Sequence, residues 1–142
     1  SYTAVVSGGT WSLSLPAGTL PAGEYAQSAS VTATDAHGNS ASTSGTFNVD
    51  TFVNRLTMVT PVEGDDVINR AEAADGVTLT GTVEQGSTVN VTFNGVTRAA
   101  TVGASGAWSV TYAAGEMPAD GTATITINAT DLRGNTRSLT ES

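Results

Sequence analysis

The side chains of this sequence that could carry chemistry are carboxylates in turn-like segments. Asp65 and Asp66 are adjacent, Asp50 lies in the run Val-Asp-Thr, and Asp35 and Asp131 each begin an Asp-x-x-Gly-Asn segment. Calcium binds several oxygen atoms, from carboxylates and carbonyls, with flexible geometry. These five aspartates are therefore the candidate ligands of a calcium site.

The same aspartates also have purely structural explanations. Asp-x-x-Gly-Asn is a good turn sequence by itself, because aspartate bonds the backbone and glycine takes a positive φ. Asp65 and Asp66 could instead favour the N-terminus of a helix. An EF-hand is not indicated, because the Asp-x-Asp-x-Asp spacing is missing after Gly64. The ion site and the simple turn both remain open at this point.

Charge and composition exclude several partners. The 142 residues include 13 acidic and five basic side chains, none of them lysine, and the formal net charge is −8. Such a surface repels nucleic acid and anionic lipid, and no apolar run is long enough to cross a bilayer. We therefore expect no nucleic-acid partner, no membrane insertion, and an export signal outside this segment.

The sequence repeats itself one and a half times. Trp11 and Trp108 are 97 residues apart in similar segments, and Asp35 and Asp131 are 96 apart in similar segments, with a matching Pro-Ala pair between them. The order and spacing of these matches indicate a tandem repeat. Residues 1–50 thus correspond to the second half of a module, and residues 51–142 to a complete one.

Within the repeat the apolar residues recur with period two, which predicts strands. Asn94-Gly95 between two such runs is typical of a tight hairpin. With a first strand near 56–61 and a last one near 136–141, about seven strands are expected, as in an all-β, immunoglobulin-like antiparallel sandwich. The positions assigned to the inward faces of the strands are Leu79, Gly81, Val83, Val89, Val91, Phe93, Trp108, Val110, Tyr112, Ala123, Ile125, Ile127 and Ala129.

Two further local predictions follow from the pattern. The segment 66–72 places apolar residues at helical spacing after Asp66, which predicts a short helical turn with Asp66 as its N-cap. Trp11 and Trp108 alternate with polar residues in the same way, so both are expected in cores rather than on a sugar-binding surface.

The strand order places the acidic residues at the two poles of the sandwich. The loop between the last two strands lies at the pole where the chain enters, so Asp131 is expected beside Asp50. The loop between the first two strands lies at the opposite pole, so Asp65 and Asp66 are expected to face whatever module follows Ser142. A junction between two modules would then gather carboxylates from the first loop of one module, from the linker, and from the last loop of the next module.

The ordered run of motifs resembles the bacterial Ig-like repeats of giant secreted biofilm adhesins. It comprises Val49-Asp50-Thr51, the segment 64–72, Gly106-Ala107-Trp108, and Asp131 with Gly134-Asn135. The resemblance implies a repeat-built stalk on the bacterial cell surface, exported by a type I system, with calcium near the junctions between neighbouring Ig-like modules. Phe52-Val53 departs from the proline-containing linker of many such repeats.

The residues do not indicate an enzyme. His37 is the single histidine, and Arg133 takes its place in the second copy, while no Gly-x-Ser-x-Gly elbow is present. We expect an extracellular structural spacer. The alternatives are a glycan- or protein-binding module, for which Tyr2, Tyr25 and Phe52 are the few loop aromatics, and an accessory domain of an extracellular hydrolase.

Residues 1–50 pose a separate problem. They supply roughly four of seven strands, so Val5, Trp11, Leu13 and Val31 have no partner within their own repeat. We expect strands from a second chain, or from a missing upstream part of the repeat, to complete this half-module by β-augmentation.

Overall fold

Strands dominate the computed structural model, which describes residues 1–142. The chain forms two compact units, which we call the N-terminal unit, Ser1–Val49, and the C-terminal unit, Asp50–Ser142. α-Helix is confined to one short segment of the C-terminal unit, and no helix has the length and apolar character needed to cross a membrane.

The N-terminal unit consists of two separate two-stranded sheets. One pairs β1 with β2, and the other pairs β3 with β4. None of residues 1–48 is buried. The prediction that Trp11 lies in a core is wrong for this unit, because no opposing sheet covers the side chain, which is 53% exposed. The strands are β1 (Val5–Ser7), β2 (Thr10–Ser12), β3 (Glu24–Thr34) and β4 (Ser40–Asp50).

The C-terminal unit is the expected immunoglobulin-like sandwich of two antiparallel sheets. Each sheet has four strands, in the orders β5-β6-β10-β9 and β12-β11-β7-β8. The strands are β5 (Thr57–Met58), β6 (Val77–Thr82), β7 (Thr88–Phe93), β8 (Val96–Ala99), β9 (Thr101–Val102), β10 (Ala107–Tyr112), β11 (Ile125–Thr130) and β12 (Thr136–Glu141). The helix is α1 (Arg70–Asp75), and 3₁₀ turns span Val62–Gly64 and Ala114–Glu116.

The unit has eight strands where about seven were expected. The extra one arises because a single extended run changes sheets: β8 pairs with β7, whereas β9 pairs with β10. The change occurs at Ala100, whose N–H bonds the Val89 carbonyl at 2.9 Å. Alternation alone does not reveal such a crossing, because both halves of the run are extended.

The core confirms the predicted alternation. Trp108 is only 2% exposed, and its indole N–H donates to the Thr57 carbonyl at 3.1 Å. The Tyr112 hydroxyl donates to the Val91 carbonyl at 2.7 Å, and its ring stands edge-on to Phe93 with centroids 5.3 Å apart. Each buried aromatic polar group therefore has a partner, as burial of Trp and Tyr requires.

Turn chemistry follows the residue types at the hairpins. Asn94 and Gly95 have φ values of 48° and 75°, and they join β7 to β8 with Phe93 paired to Val96, as predicted. Two residues with positive φ form the turn whose twist suits a two-residue hairpin.

The helical segment begins later than predicted. Asp66 is not an N-cap: it has a φ of 60°, and its carboxylate accepts the Val62 N–H at 2.7 Å. Asn69 caps α1 instead, accepting from the N–H groups of Ala71 and Glu72, while Glu72 accepts the Asn69 N–H. Asn69 is the N-cap because its side chain and that of Glu72 form a reciprocal capping box, in which each side chain accepts a hydrogen bond from the backbone N–H of the other residue.

Candidate metal centre

Two loops of the C-terminal unit and the last residue of β4, Asp50, which begins this unit, meet at one of its poles. Thr88, at the start of β7, is paired with Thr130, at the end of β11. The loop before β7 and the loop after β11 therefore lie side by side, next to the first residues of the unit. Glu84, Asp131 and Asp50 come from these three segments respectively.

The carboxylates of Asp50, Glu84 and Asp131 form one cluster. One oxygen atom from each of them lies within 4.8 Å of those of the other two. Asp131 is buried, with 7% of its surface exposed, and the other two are partly buried. Like charges this close repel one another strongly away from bulk water, so the cluster favours a bound cation or hydrogen-bond donors between its members.

Asp131 owes its position to the turn that it begins. Its Oδ1 accepts the N–H groups of Arg133 and Asn135 at 2.8 and 2.9 Å, and its Oδ2 accepts the Asn135 amide at 2.7 Å. Burial acts to raise the pKa of Asp131, but the hydrogen bonds from Asn135, Arg133 and Gly134 outweigh burial, so this pKa lies below its ordinary value. The carboxylate is therefore held in the ionised form that a metal ligand needs.

Asn135 connects this turn to the start of the unit. Its Nδ2 lies 3.0 Å from Asp50 Oδ1 and 3.3 Å from the Asp50 carbonyl, besides its bond to Asp131. The amide thus supplies a donor between two carboxylates. A half-turn of the amide group would present its oxygen, which is a calcium ligand, in place of its nitrogen, which is not.

Glu84 is the member of the cluster that the sequence analysis missed. Its Oε2 accepts the Asn54 N–H at 2.9 Å, and its own N–H donates to the Asn54 carbonyl at 3.1 Å. This reciprocal contact holds the β6–β7 loop against the segment that follows Asp50. The available signal was topological, since the loop between the second and third strands of the sandwich ends at the same pole as Asp131.

The donor set fits a hard cation. It contains carboxylate oxygens from three segments, together with the Asp50 carbonyl, which lies close to the Asn135 amide. It contains neither histidine nor cysteine, the ligands typical of zinc. Flexible all-oxygen sets with several carboxylates are those that bind calcium.

The remaining candidate aspartates lie elsewhere. Asp65 and Asp66 are exposed in the loop between β5 and α1, where each accepts a backbone hydrogen bond, from Val67 at 3.0 Å and from Val62 at 2.7 Å. Asp66 shares a groove with the terminal Ser142, at the end of the unit opposite the carboxylate cluster. Neither residue belongs to that cluster.

Asp35 reproduces the Asp131 turn in the N-terminal unit. Its Oδ1 accepts the N–H groups of His37 and Asn39 at 2.8 and 2.9 Å, and its Oδ2 accepts the Asn39 amide at 2.8 Å. These hydrogen bonds, led by that of the Asn39 side chain, lower the pKa of Asp35. The same local sequence therefore forms the same hydrogen-bonded turn in both units, as the structural explanation predicts.

Solved structures with similar sequence come from bacterial adhesins. A calcium-stabilised adhesin with which an Antarctic bacterium binds ice is 37% identical over 81% of this chain and 30% of that one, with a TM-score of 0.47. A 1.5-MDa bacterial ice-binding adhesin is 36% identical over 81% and 39% of the two chains, also at 0.47. The chain thus spans only 30% and 39% of the lengths of these two relatives.

An isolated domain gives a third match. A bacterial immunoglobulin-like domain of the M. primoryensis ice-binding adhesin is 36% identical over 63% of this chain and 89% of that one, with a TM-score of 0.46. No curated protein matches the chain significantly. The family of the bacterial Ig domain matches residues 65–141. Because that match covers more than half of the sequence, the chain belongs to the bacterial Ig domain family.

Proposed function

We propose that this chain is a spacer segment in the stalk of a bacterial surface adhesin, and that calcium held by Asp50, Glu84 and Asp131 stiffens the start of its complete module. The observation that carries the proposal is the convergence of these three carboxylates at the first residue of the C-terminal unit. Membership of the bacterial Ig domain family supports the module assignment.

The location of Asp50 explains why an ion there has a mechanical effect. Asp50 is the residue at which the C-terminal unit begins, while Glu84 and Asp131 lie in loops anchored by β6, β7 and β11. A calcium ion shared by the three carboxylates would cross-link Asp50, the first residue of the unit, to the two loops of the sandwich that carry Glu84 and Asp131. It also relieves the repulsion among the three charges, so bending at this point becomes more costly.

The face of the sandwich formed by β6 and β10 supports a spacer role. The outward residues of β6 and β10 are all exposed and carry no charge and no aromatic ring. Hydroxyl groups pair across the strands there, as between Thr78 and Thr111 at 2.8 Å. This neutral, hydroxyl-rich face offers neither an apolar patch nor a charged patch for a partner. Those outward residues are Thr78, Thr80, Thr82, Ala107, Ser109 and Thr111.

Calcium titration of the whole chain tests the proposal. Asp50→Asn removes one carboxylate without touching the hydrogen bonds of the Asp131 turn, so it should weaken calcium binding measured by calorimetry. Asp35→Asn is the control, because it makes the same change in charge at an aspartate that lies outside the cluster. Calcium at 100 times its Kd should raise the unfolding free energy by about 2.7 kcal/mol.

The proposed stiffening of the chain at Asp50 is tested by a separate measurement. Spin labels on β2 and β10 would report the distribution of distances between the two units with calcium and with chelator. A narrower distribution in calcium, lost in Asp50→Asn, is the expected result. Calcium binding with an unchanged distribution would contradict stiffening, and unchanged melting with and without chelator would contradict the ion site.

A further inference from the structure

Ser87 carries a buried side-chain oxygen that has no hydrogen-bond partner. The residue is 4% exposed, and its Oγ atom is buried without a donor or an acceptor of the protein in reach. A hydroxyl in this position has lost its hydrogen bonds to water and gained none in return, which destabilises the folded state. Because buried polar side chains are otherwise satisfied, this exception points to a ligand that the hydroxyl serves.

The strand register places Ser87 directly across from Asp131. Thr88 pairs with Thr130, so the residues one step nearer the pole, Ser87 and Asp131, are the next opposed positions of the two antiparallel segments. Both residues also continue the buried, inward-facing rows of their strands, because side chains alternate between the two faces of a sheet. Those rows are Ser87, Val89, Val91 and Phe93 along β7, and Ile125, Ile127, Ala129 and Asp131 along β11.

Ser87 also closes the turn that carries Glu84. Its N–H donates to the Glu84 carbonyl at 3.2 Å. This turn touches the Asp131 turn, since a Cβ atom on Gly86 would lie 2.6 Å from the Leu132 side chain. Ser87 is therefore flanked by two residues of the carboxylate cluster, and its inward position puts the hydroxyl on the side of the cluster that faces the core.

We infer that the Ser87 hydroxyl is a further ligand of the cation bound by the carboxylate cluster, and that this ligand favours calcium over magnesium. The inference rests on the proposed calcium site. Calcium takes about six to eight oxygen ligands, so three carboxylates and the Asp50 carbonyl leave positions open when each supplies one atom. A hydroxyl oxygen has lone pairs for a cation and adds no negative charge to a cluster that already contains three.

The hydroxyl should matter more for calcium than for magnesium. Magnesium is the smaller ion, demands nearly octahedral geometry and retains several of its own water molecules when it binds to proteins. It can therefore bind the carboxylates without an oxygen fixed behind them. Calcium replaces more of its water by protein oxygens at flexible geometry, so a ligand on the core side contributes to its affinity.

Ser87→Ala in the whole chain tests the inference, because it should have opposite effects with and without calcium. In chelator, the variant loses an unpartnered buried hydroxyl, so its melting temperature should equal or exceed that of the wild type. In calorimetric titration, its Kd for calcium should rise by about tenfold or more, a cost typical of losing a group that supports a metal site. Its Kd for magnesium should change less, so the preference for calcium should fall.

Ser109→Ala is the control, since Ser109 is an exposed residue of β10 and the change removes the same hydroxyl group. It should leave both affinities unchanged. If the wild type binds calcium and Asp50→Asn weakens binding, but Ser87→Ala binds calcium as the wild type does, the role of Ser87 is overturned and the proposed site stands. A Ser87→Ala protein that melts lower in chelator and loses affinity for both ions equally also overturns it, in favour of a structural role. A wild type that binds no calcium overturns this inference and the proposed site together.

Discussion

Asn135 and Asp50 are 85 residues apart in the chain, yet the Asn135 amide nitrogen lies 3.0 Å from the Asp50 carboxylate. The last hairpin of the sandwich thus holds the residue at which the C-terminal unit begins. The same amide donates to Asp131, so one side chain bridges two like charges that would otherwise repel.

The first prediction concerns this bridge. Asn135→Ala removes the donor between Asp50 and Asp131, so the C-terminal unit should unfold at a lower temperature in chelator. Calcium should restore part of the loss, because a cation can take over the bridging role. Asn39→Ala, in the equivalent turn, is the control, and calorimetric melting temperatures that fall equally in both variants would contradict the assignment.

A second prediction follows from the lowered pKa of Asp131. Because the folded-state pKa lies below the ordinary value of 3.8, the unfolded chain binds more protons in this range. The contribution of Asp131 to stability is therefore present above about pH 3.8 and is lost as the pH falls through the folded-state pKa. Urea unfolding across this range should show a shallower pH dependence for Asp131→Asn than for the wild type.

The third prediction concerns the two tryptophans. Trp108→Ala should cost about 3–5 kcal/mol, the range for emptying a large aromatic site. Trp11→Ala should leave the unfolding of the C-terminal unit unchanged, because Trp11 is exposed and belongs to the other unit. Chemical denaturation of both variants decides the matter, and a Trp108→Ala protein that unfolds like wild type would contradict the core assignment.

The fourth prediction concerns the close packing around Gly81 in β6. Gly81→Ala should destabilise the C-terminal unit by about 1–3 kcal/mol, since the added methyl group has no room beside Trp108 and the Thr57 carbonyl. Gly115→Ala is the control, because no atom lies within 4 Å of the corresponding position. Equal denaturation midpoints for the two variants would contradict the close approach of the Thr57 carbonyl and the Trp108 ring to Gly81.

Local chemistry made much of this fold predictable. The alternation around Trp108 and Ile127, the Asn94-Gly95 hairpin and the two Asp-x-x-Gly-Asn turns all depend on residues close together in the chain. The proximity of Asp131 to Asp50 was also predictable, because the strand order of an immunoglobulin-like sandwich brings the last loop to the pole where the chain enters.

Tertiary contacts decided the rest. Glu84 joins the carboxylate cluster because its loop is bonded to Asn54, 30 residues away along the chain. The run 96–102 crosses from one sheet to the other at Ala100, where a neighbouring strand supplies the hydrogen-bond acceptor. Trp11 and Trp108 lie in nearly the same local sequence, yet only Trp108 is buried, because burial requires an opposing sheet and local sequence cannot supply one.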